Sequence, residues 1–455
     1  MTELRESWSG RFGFILATIG SAVGLGSIWK FPYEVGANGG GAFVLFYVAG
    51  LIFIVVPLML AEFAIGRRGR GDAATSIEVV AASEGASRAW GVVGLLGVIT
   101  GFLILSFYSV IGGWTIAYAL DTILYGLPGS DPLAVRARYD GLLGSPLRLS
   151  AYHAVFMTIV AIVVARGVSG GIEATAKILM PILVALMIGL AVYSMLEGDT
   201  SAALRYLFWP DPTHLTARAA IEAIGLGFFS IGVGLSLMIT YGAYAEQTID
   251  LTQVTIISVV ADTAISLLAG LAVFPIVFAH KLDPAAGPGL VFVTLPLAFA
   301  DMPYGRLAAV SFFVLLFVAA LASAISILEL AVALLIRRRN WRRPWASIAA
   351  AIACAVMGLA TVLSFNLWSG WFPLGAVPLF AKATVFDLLD HLTSNLLLPL
   401  TGLALAVFAG WFLPIKLLTD ELRIGCRTAQ ILQALLRYAA PVGILTATFG
   451  GYVAV

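Results

Sequence analysis

Charge is what the sequence has least of. Of its 455 residues only 11% are Asp, Glu, Lys or Arg, while 60% are hydrophobic. A soluble domain carries about 25% charged residues. So few charges exclude a water-soluble globule, a disordered chain and a coiled coil, and they leave a bilayer as the solvent. Cysteine is nearly absent. Cys354 and Cys426 lie far apart and form no CxxC or His/Cys metal spacing, which excludes a disulfide scaffold. The four histidines, His153, His214, His280 and His391, show no HExxH spacing. Net charge is only +1, so no basic field recruits nucleic acid. Glycine, by contrast, is plentiful at 47 residues. In a membrane it serves close helix packing or deliberately broken helices.

A spanning helix needs about 20 mostly apolar residues. Eleven stretches qualify: 11–36, 41–66, 89–124, 149–165, 173–196, 218–245, 252–280, 306–336, 344–364, 383–415 and 435–455. These runs are too long for barrel strands, which alternate over about 10 residues. The first has no cleavage site and reads as a span, not a signal peptide. Placing the N-terminus in the cytoplasm puts 17 of the 26 basic residues inside, with the densest group at Arg337–Arg343. The positive-inside rule favours that orientation, and eleven spans then put the C-terminus outside. The expectation is an all-α polytopic protein of the cell membrane, one transmembrane domain over 1–455. The connections 125–148, 197–217 and 281–305 fall outside, and the apolar segment 287–305 is expected to form short helices over that face.

Two spans carry glycine at their centres. The first reads GFILATIGSAVGLGSIWKFPY (13–33), the sixth IGLGFFSIGVGLSLMITYGAY (224–244). Glycine inside a helix costs about 1 kcal/mol relative to alanine. A cluster of them lets backbone unwind, which a membrane tolerates only where that backbone lines a cavity or is buried in protein. The breaks lie five spans apart. An odd offset inverts the topology of the second half, the pattern of an inverted-repeat transporter with a site at the bilayer midplane.

Five segments, in order, resemble the neurotransmitter:sodium symporter family and its short bacterial amino-acid transporters. They are GSAVGLGSIWKFPY (20–33), NGGGAFVLFY (38–47), RGVSGGIEATAKILMP (166–181), FFSIGVGLSLMITYGAY (228–244) and FDLLDHLTSNLLLP (386–399). The resemblance implies a LeuT-type fold: a five-plus-five inverted repeat, over about 11–196 and 218–415, with helices 1 and 6 unwound at mid-membrane. One extra helix would lie at about 435–455. It implies sodium-coupled symport of an amino acid by alternating access.

By the same resemblance, the amides of Leu25 and Gly26 and the Tyr108 hydroxyl hold a substrate carboxylate. The carbonyls of Ala22, Phe229 and Ser230 receive its ammonium. Ile104, Tyr108, Phe229, Gly232, Leu235, Ser323 and Ile327 surround its side chain. None is charged, and burying an unpaired charge is costly, so a neutral, apolar or aromatic amino acid is expected. The family's first sodium site corresponds to Ala22, Ser27, Ser230 and Asp262, with serine where relatives commonly have asparagine. The second corresponds to Gly20, Val23, Ala319 and Ser323. There Ala322 supplies no side-chain oxygen, which leaves open whether one or two ions are carried. Chloride is not expected: the halide positions match Tyr47, Ser230 and Ser266, but Leu226 replaces a glutamine, and Asp262 already brings negative charge.

Lys30 and Asp390 match an outer gate, Arg5 and Trp8 an N-terminal inner latch. The latch's acidic partner falls at Arg337. Glu62, Tyr241, Tyr244 and Glu329 are candidates for a cytoplasmic-side network. GVSGG (167–171) fits GxSxG, but it lies in a turn between spans with no histidine near it, so an enzyme is not expected. The changes at Ser27, Ala322 and Arg337 keep an alternative open: a sodium-independent carrier of an amino acid or amine, proton-coupled or uncoupled, or a carrier-derived sensor. No residue pattern bears on oligomeric state.

Overall fold

The computed structural model describes residues 6–129, 131–284 and 289–453, and among them every regular element is a helix. Among the described residues nine helices are long and apolar enough to cross a membrane: Gly41–Gly69, Arg88–Tyr125, Pro146–Ala165, Val168–Glu197, Leu251–Ala279, Gly305–Arg339, Arg343–Ser364, Val385–Phe412 and Cys426–Thr448. Arg11–Ala22 and Gly26–Ala37 form a pair bent by 50° that would make a tenth. The sixth expected span is not one helix. It comprises two shorter ones, Ala217–Ile231 and Leu237–Ala243.

Helix ends follow local chemistry. Asp72, Asp250, Ser145 and Thr216 each accept a backbone N–H from the first turn they precede. That satisfies donors that hydrocarbon cannot. Pro146 stands at the first position of its helix, where no N–H is needed. Asn340, in the left-handed conformation (φ 53°), ends the Gly305–Arg339 helix.

The centre and the rim are distinguishable. In its most apolar stretch the Gly305–Arg339 helix is 78% buried, against 33% for Pro146–Ala165, so the former is the core of the bundle and the latter faces outward. The Gly305–Arg339 helix packs along Arg88–Tyr125, and Leu251–Ala279 along Val168–Glu197. Leu237–Ala243 lies against Gly41–Gly69. The two interrupted segments thereby stand between long, packed helices.

Three differences from the expected spans have physical reasons. The final helix begins at Cys426, not near 435. Its first turns are polar, with only Ala429, Leu432 and Gln433 buried, so hydropathy does not mark them. Ala73–Ser83 is an additional helix held by the Asp72 cap, too short to have counted as a span. The connections 125–148 and 197–217 contain Pro132–Leu143 and Thr200–Phe208. Within the described part of 287–305, Leu290–Asp301 is helical.

Candidate functional site

The first helix stops at Ala22 because Val23 turns extended (φ −77°, ψ 97°). At the second break Gly232 (φ 73°) and Gly234 (φ 88°) take left-handed values, as does Ser236 (φ 60°). A side chain at Gly234 would be strained there, and its Cβ would stand 2.9 Å from the Leu398 carbonyl oxygen.

A cavity of about 40 Å³ lies between the breaks. Its walls include Leu25, Gly26, Ile104, Tyr108, Phe229, Ser230, Gly232, Leu235, Ser323 and Ile327. Ala22 is buried but is not part of the wall. Ser21, Gly24, Leu237 and Leu398 also line the cavity, although none of them is among the substrate positions expected from the sequence. Gly24 had a signal, since it sits inside the glycine cluster. A Cβ there would fall 2.5 Å from the Ser323 Oγ and 3.1 Å from the Tyr108 hydroxyl, so a side chain would have to turn the serine hydroxyl away and crowd the tyrosine. The Leu25 N–H donates to the Tyr108 hydroxyl at 3.3 Å. The Ser21 hydroxyl is buried without a hydrogen-bond partner.

Beside the cavity lies an oxygen cluster. The Ser27 Oγ donates to Asp262 Oδ1 at 2.5 Å and lies 2.8 Å from the Ser230 Oγ. Ser230 Oγ also donates to Asp262, at 3.0 and 3.2 Å, and the Tyr47 hydroxyl donates to Oδ2 at 2.9 Å. Asp262, Ser27 and Tyr47 are fully or almost fully buried. Among the described residues no Lys, Arg or His neighbours Asp262. A buried carboxylate with hydroxyls around it and no counter-charge is chemically suited to a small hard cation. No cluster of three or more His, Cys, Asp or Glu side chains exists among the described residues, so the donor set is not that of a transition metal. Ser266 Oγ is buried without a partner, and Leu226 is buried nearby on the Ala217–Ile231 helix. At the second expected ion position, Ser323 Oγ points to the carbonyls of Gly20 (3.5 Å) and Ser21 (3.4 Å). Val23, Ala319 and Ala322 are buried there without adding a side-chain oxygen.

Above the cavity a second space of about 320 Å³ is lined by Lys30, Glu34, Glu222 and His391, among others. Phe229 lines both spaces, so its ring is the partition. Lys30 and Asp390 form no ion pair. The Lys30 ammonium sits over the Phe229 ring, 4.8 Å from its centroid, and Asp390 accepts from Ser394 one turn along its own helix at 2.8 Å.

On the opposite side the polar residues sort into two groups. Glu62 accepts the N–H groups of Gly234 (2.8 Å) and Met238 (3.2 Å), and so caps the broken end of Leu237–Ala243. The sequence marks Glu62 as an acid in an apolar run but not as this cap. The second group is a network. Tyr244 donates to Glu329 at 2.7 Å, and Tyr241 to Ser326 at 2.7 Å. Arg343 pairs with Glu329, with Glu6 at 3.3 Å, and donates to the Val164 carbonyl at 2.9 Å. The Trp8 indole, 1% exposed, donates to the Tyr241 carbonyl at 3.1 Å. Arg5 lies outside the described residues. The acids of this network therefore meet Arg343, at the start of the next helix, while Arg337 stays exposed.

The family model described as the Sodium:neurotransmitter symporter family matches residues 5–132 and 144–453. The chain belongs to this family. It is similar to a sodium-dependent transporter of Bacillus subtilis (strain 168), YhdH. The two are 35% identical over 446 residues, 96% of each chain. It is 31% identical over 481 residues to a sodium-dependent transporter of Methanocaldococcus jannaschii, covering 98% of this chain and 93% of the relative. Among solved structures, MhsT in complex with L-phenylalanine superposes with a TM-score of 0.88 at 39% identity, covering 97% of this chain and 99% of MhsT. The likeness of its fold to the LeuT type, its sodium-dependent relatives and its many apolar helices make it a multi-pass membrane transporter of that family.

Proposed function

We propose that this symporter couples sodium to the uptake of a neutral, apolar or aromatic amino acid by alternating access. The observation that carries the reading is Asp262, buried, ringed by Ser27, Ser230 and Tyr47, and without a cationic side chain. A buried charge in that setting is stabilised by a cation. The cavity beside it has no charged side chain in its wall, which suits an uncharged substrate side chain. MhsT's complex with L-phenylalanine supports an aromatic amino acid.

In this reading the amides of Leu25 and Gly26 and the Tyr108 hydroxyl bind the carboxylate. Carbonyls of Ala22, Phe229 and Ser230 take the ammonium. Ile104, Gly232, Leu235, Ser323 and Ile327 shape the side-chain end. Ala22, Ser27, Ser230 and Asp262 carry the first ion. The second site, from Gly20, Val23, Ala319 and Ser323, is short of an oxygen at Ala322. Chloride is not required. Phe229 with Lys30 and Asp390 shuts the outer side. Trp8 and the Glu6–Arg343–Glu329 network, with Arg5, shut the inner side. The single domain over 1–455 has eleven spans: two inverted repeats broken at mid-membrane in spans one and six, and one extra helix. Its N-terminus is cytoplasmic and its C-terminus outside.

Proton coupling is the second reading. It is favoured by the three hydroxyls that hydrogen-bond Asp262, a set that would equally hold a shared proton. Proteoliposomes separate the two. Labelled phenylalanine should accumulate when sodium is imposed outside. Equal uptake in potassium or choline overturns sodium coupling, and dependence on an imposed pH gradient alone selects the second reading.

A further inference from the structure

The turn between the Gly305–Arg339 and Arg343–Ser364 helices reads RRRNWRR from Arg337 to Arg343. Five guanidiniums are brought together within seven residues. The protein's own acids answer two of them: Glu78 pairs with Arg338 at 2.9 Å, and Glu6 and Glu329 pair with Arg343. Arg337, Arg339 and Arg342 are exposed, and among the described residues none of them meets a carboxylate. Two large indoles flank them, Trp341 at 43% and Trp345 at 66% exposure.

Three uncompensated arginines exceed what anchoring the turn requires, since Arg338 and Arg343 already tie it to the bundle. Guanidinium is the side chain that grips phosphate bidentately. Exposed tryptophan beside the end of a spanning helix belongs at headgroup depth, where one edge is apolar and the other wet. Basic clusters just beyond a spanning helix attract anionic lipid.

We propose that the Arg337–Arg343 turn binds the phosphodiester headgroup of an anionic phospholipid, with Trp341 and Trp345 lying along its glycerol and upper acyl region. The placement of this turn on the cytoplasmic leaflet rests on the orientation proposed above. The headgroup site itself does not depend on transport. Because Arg342 adjoins Arg343, a lipid there sits one residue from the network around Glu329.

Native mass spectrometry of the full chain, with phosphatidylglycerol or phosphatidylcholine added to the detergent, tests this. Wild-type protein should retain phosphatidylglycerol in preference. The R337Q/R339Q/R342Q variant should lose at least about fivefold in retention, while R337K/R339K/R342K, which keeps the charge, should lose less. If the glutamine variant does not fold, R339Q alone should weaken retention, and wild-type retention should fall as salt rises. Equal retention of both lipids by wild type, or undiminished retention of phosphatidylglycerol by the variant, overturns the proposal. So does equal displacement by inorganic phosphate, because the indoles would then contribute nothing. Detergent exposes both ends of the protein, so an error in orientation or in sodium coupling leaves this readout untouched.

Discussion

Asp262 and its three hydroxyl partners form the most consequential residue-scale feature. Removing the carboxylate leaves Ser27, Ser230 and Tyr47 with donors that have lost their acceptor and takes away the only charge in the cluster. Asp262→Ala should therefore abolish sodium-dependent stabilisation by phenylalanine. Asp262→Asn keeps an oxygen but not the charge, and should weaken sodium at least about tenfold, equivalent to about 1.4 kcal/mol. A sodium titration followed by thermal shift measures both; an unchanged sodium midpoint in Asp262→Ala would remove this residue from the ion site. Asp262 was marked in the sequence because an aspartate within an apolar span is costly and needs a reason. Ser27 and Ser230 were placed beside it only by the family resemblance, and Tyr47 was read as a halide position, not as a hydrogen-bond partner of Asp262. That Lys30 and Asp390 stand apart was not legible in the sequence. Residue types indicate that opposite charges can pair, but not that an aromatic ring or a serine one turn away takes each of them.

Among the elements, the two interrupted helices differ in how their loose ends are satisfied. The start of Leu237–Ala243 relies on one carboxylate from another helix, Glu62, for the amides of Gly234 and Met238. Glu62→Gln keeps a single acceptor oxygen and removes the charge, and should cost about 1–3 kcal/mol of stability. The check is the apparent Tm of purified protein, with Glu62→Ala falling further. A Tm equal to wild type in both variants would mean that Glu62 does not support the break. Glycine clusters in the sequence pointed to where helices one and six give way, since mid-helix glycine is unfavourable without a purpose. They could not indicate what replaces the lost ladder bonds, because Glu62 is 172 residues from Gly234 in the chain. Polar amphipathic turns such as Cys426–Ala434 escaped notice for a related reason. Hydropathy averages over a window, while burial there falls on three residues of one face.

For the whole molecule, orientation is the property most open to a direct test. Cys426 is exposed and Cys354 buried, so the native chain holds a single reactive thiol among the described residues. With the N-terminus inside, Cys426 faces the cytoplasm. A membrane-impermeant maleimide should label it in intact cells only after permeabilisation, and Cys426→Ser should abolish the signal. Labelling of intact cells at the permeabilised rate reverses the proposed topology. The same scale holds the inner network. Arg343→Ala would strand Glu329 in a buried position without its charge partner, a loss of about 3–5 kcal/mol in comparable pairs. Its expected sign is a lower Tm together with faster hydrogen exchange in the backbone around Trp8.

Phe229 and Ser230 are consecutive in the chain, yet one walls off two chambers and the other touches the buried aspartate. In the proposed transport cycle, a single peptide unit would thus join the outer shutter to the ion site. A twist of that unit would act on both at once, so in that cycle occupancy on one side would reach the other through a single covalent step.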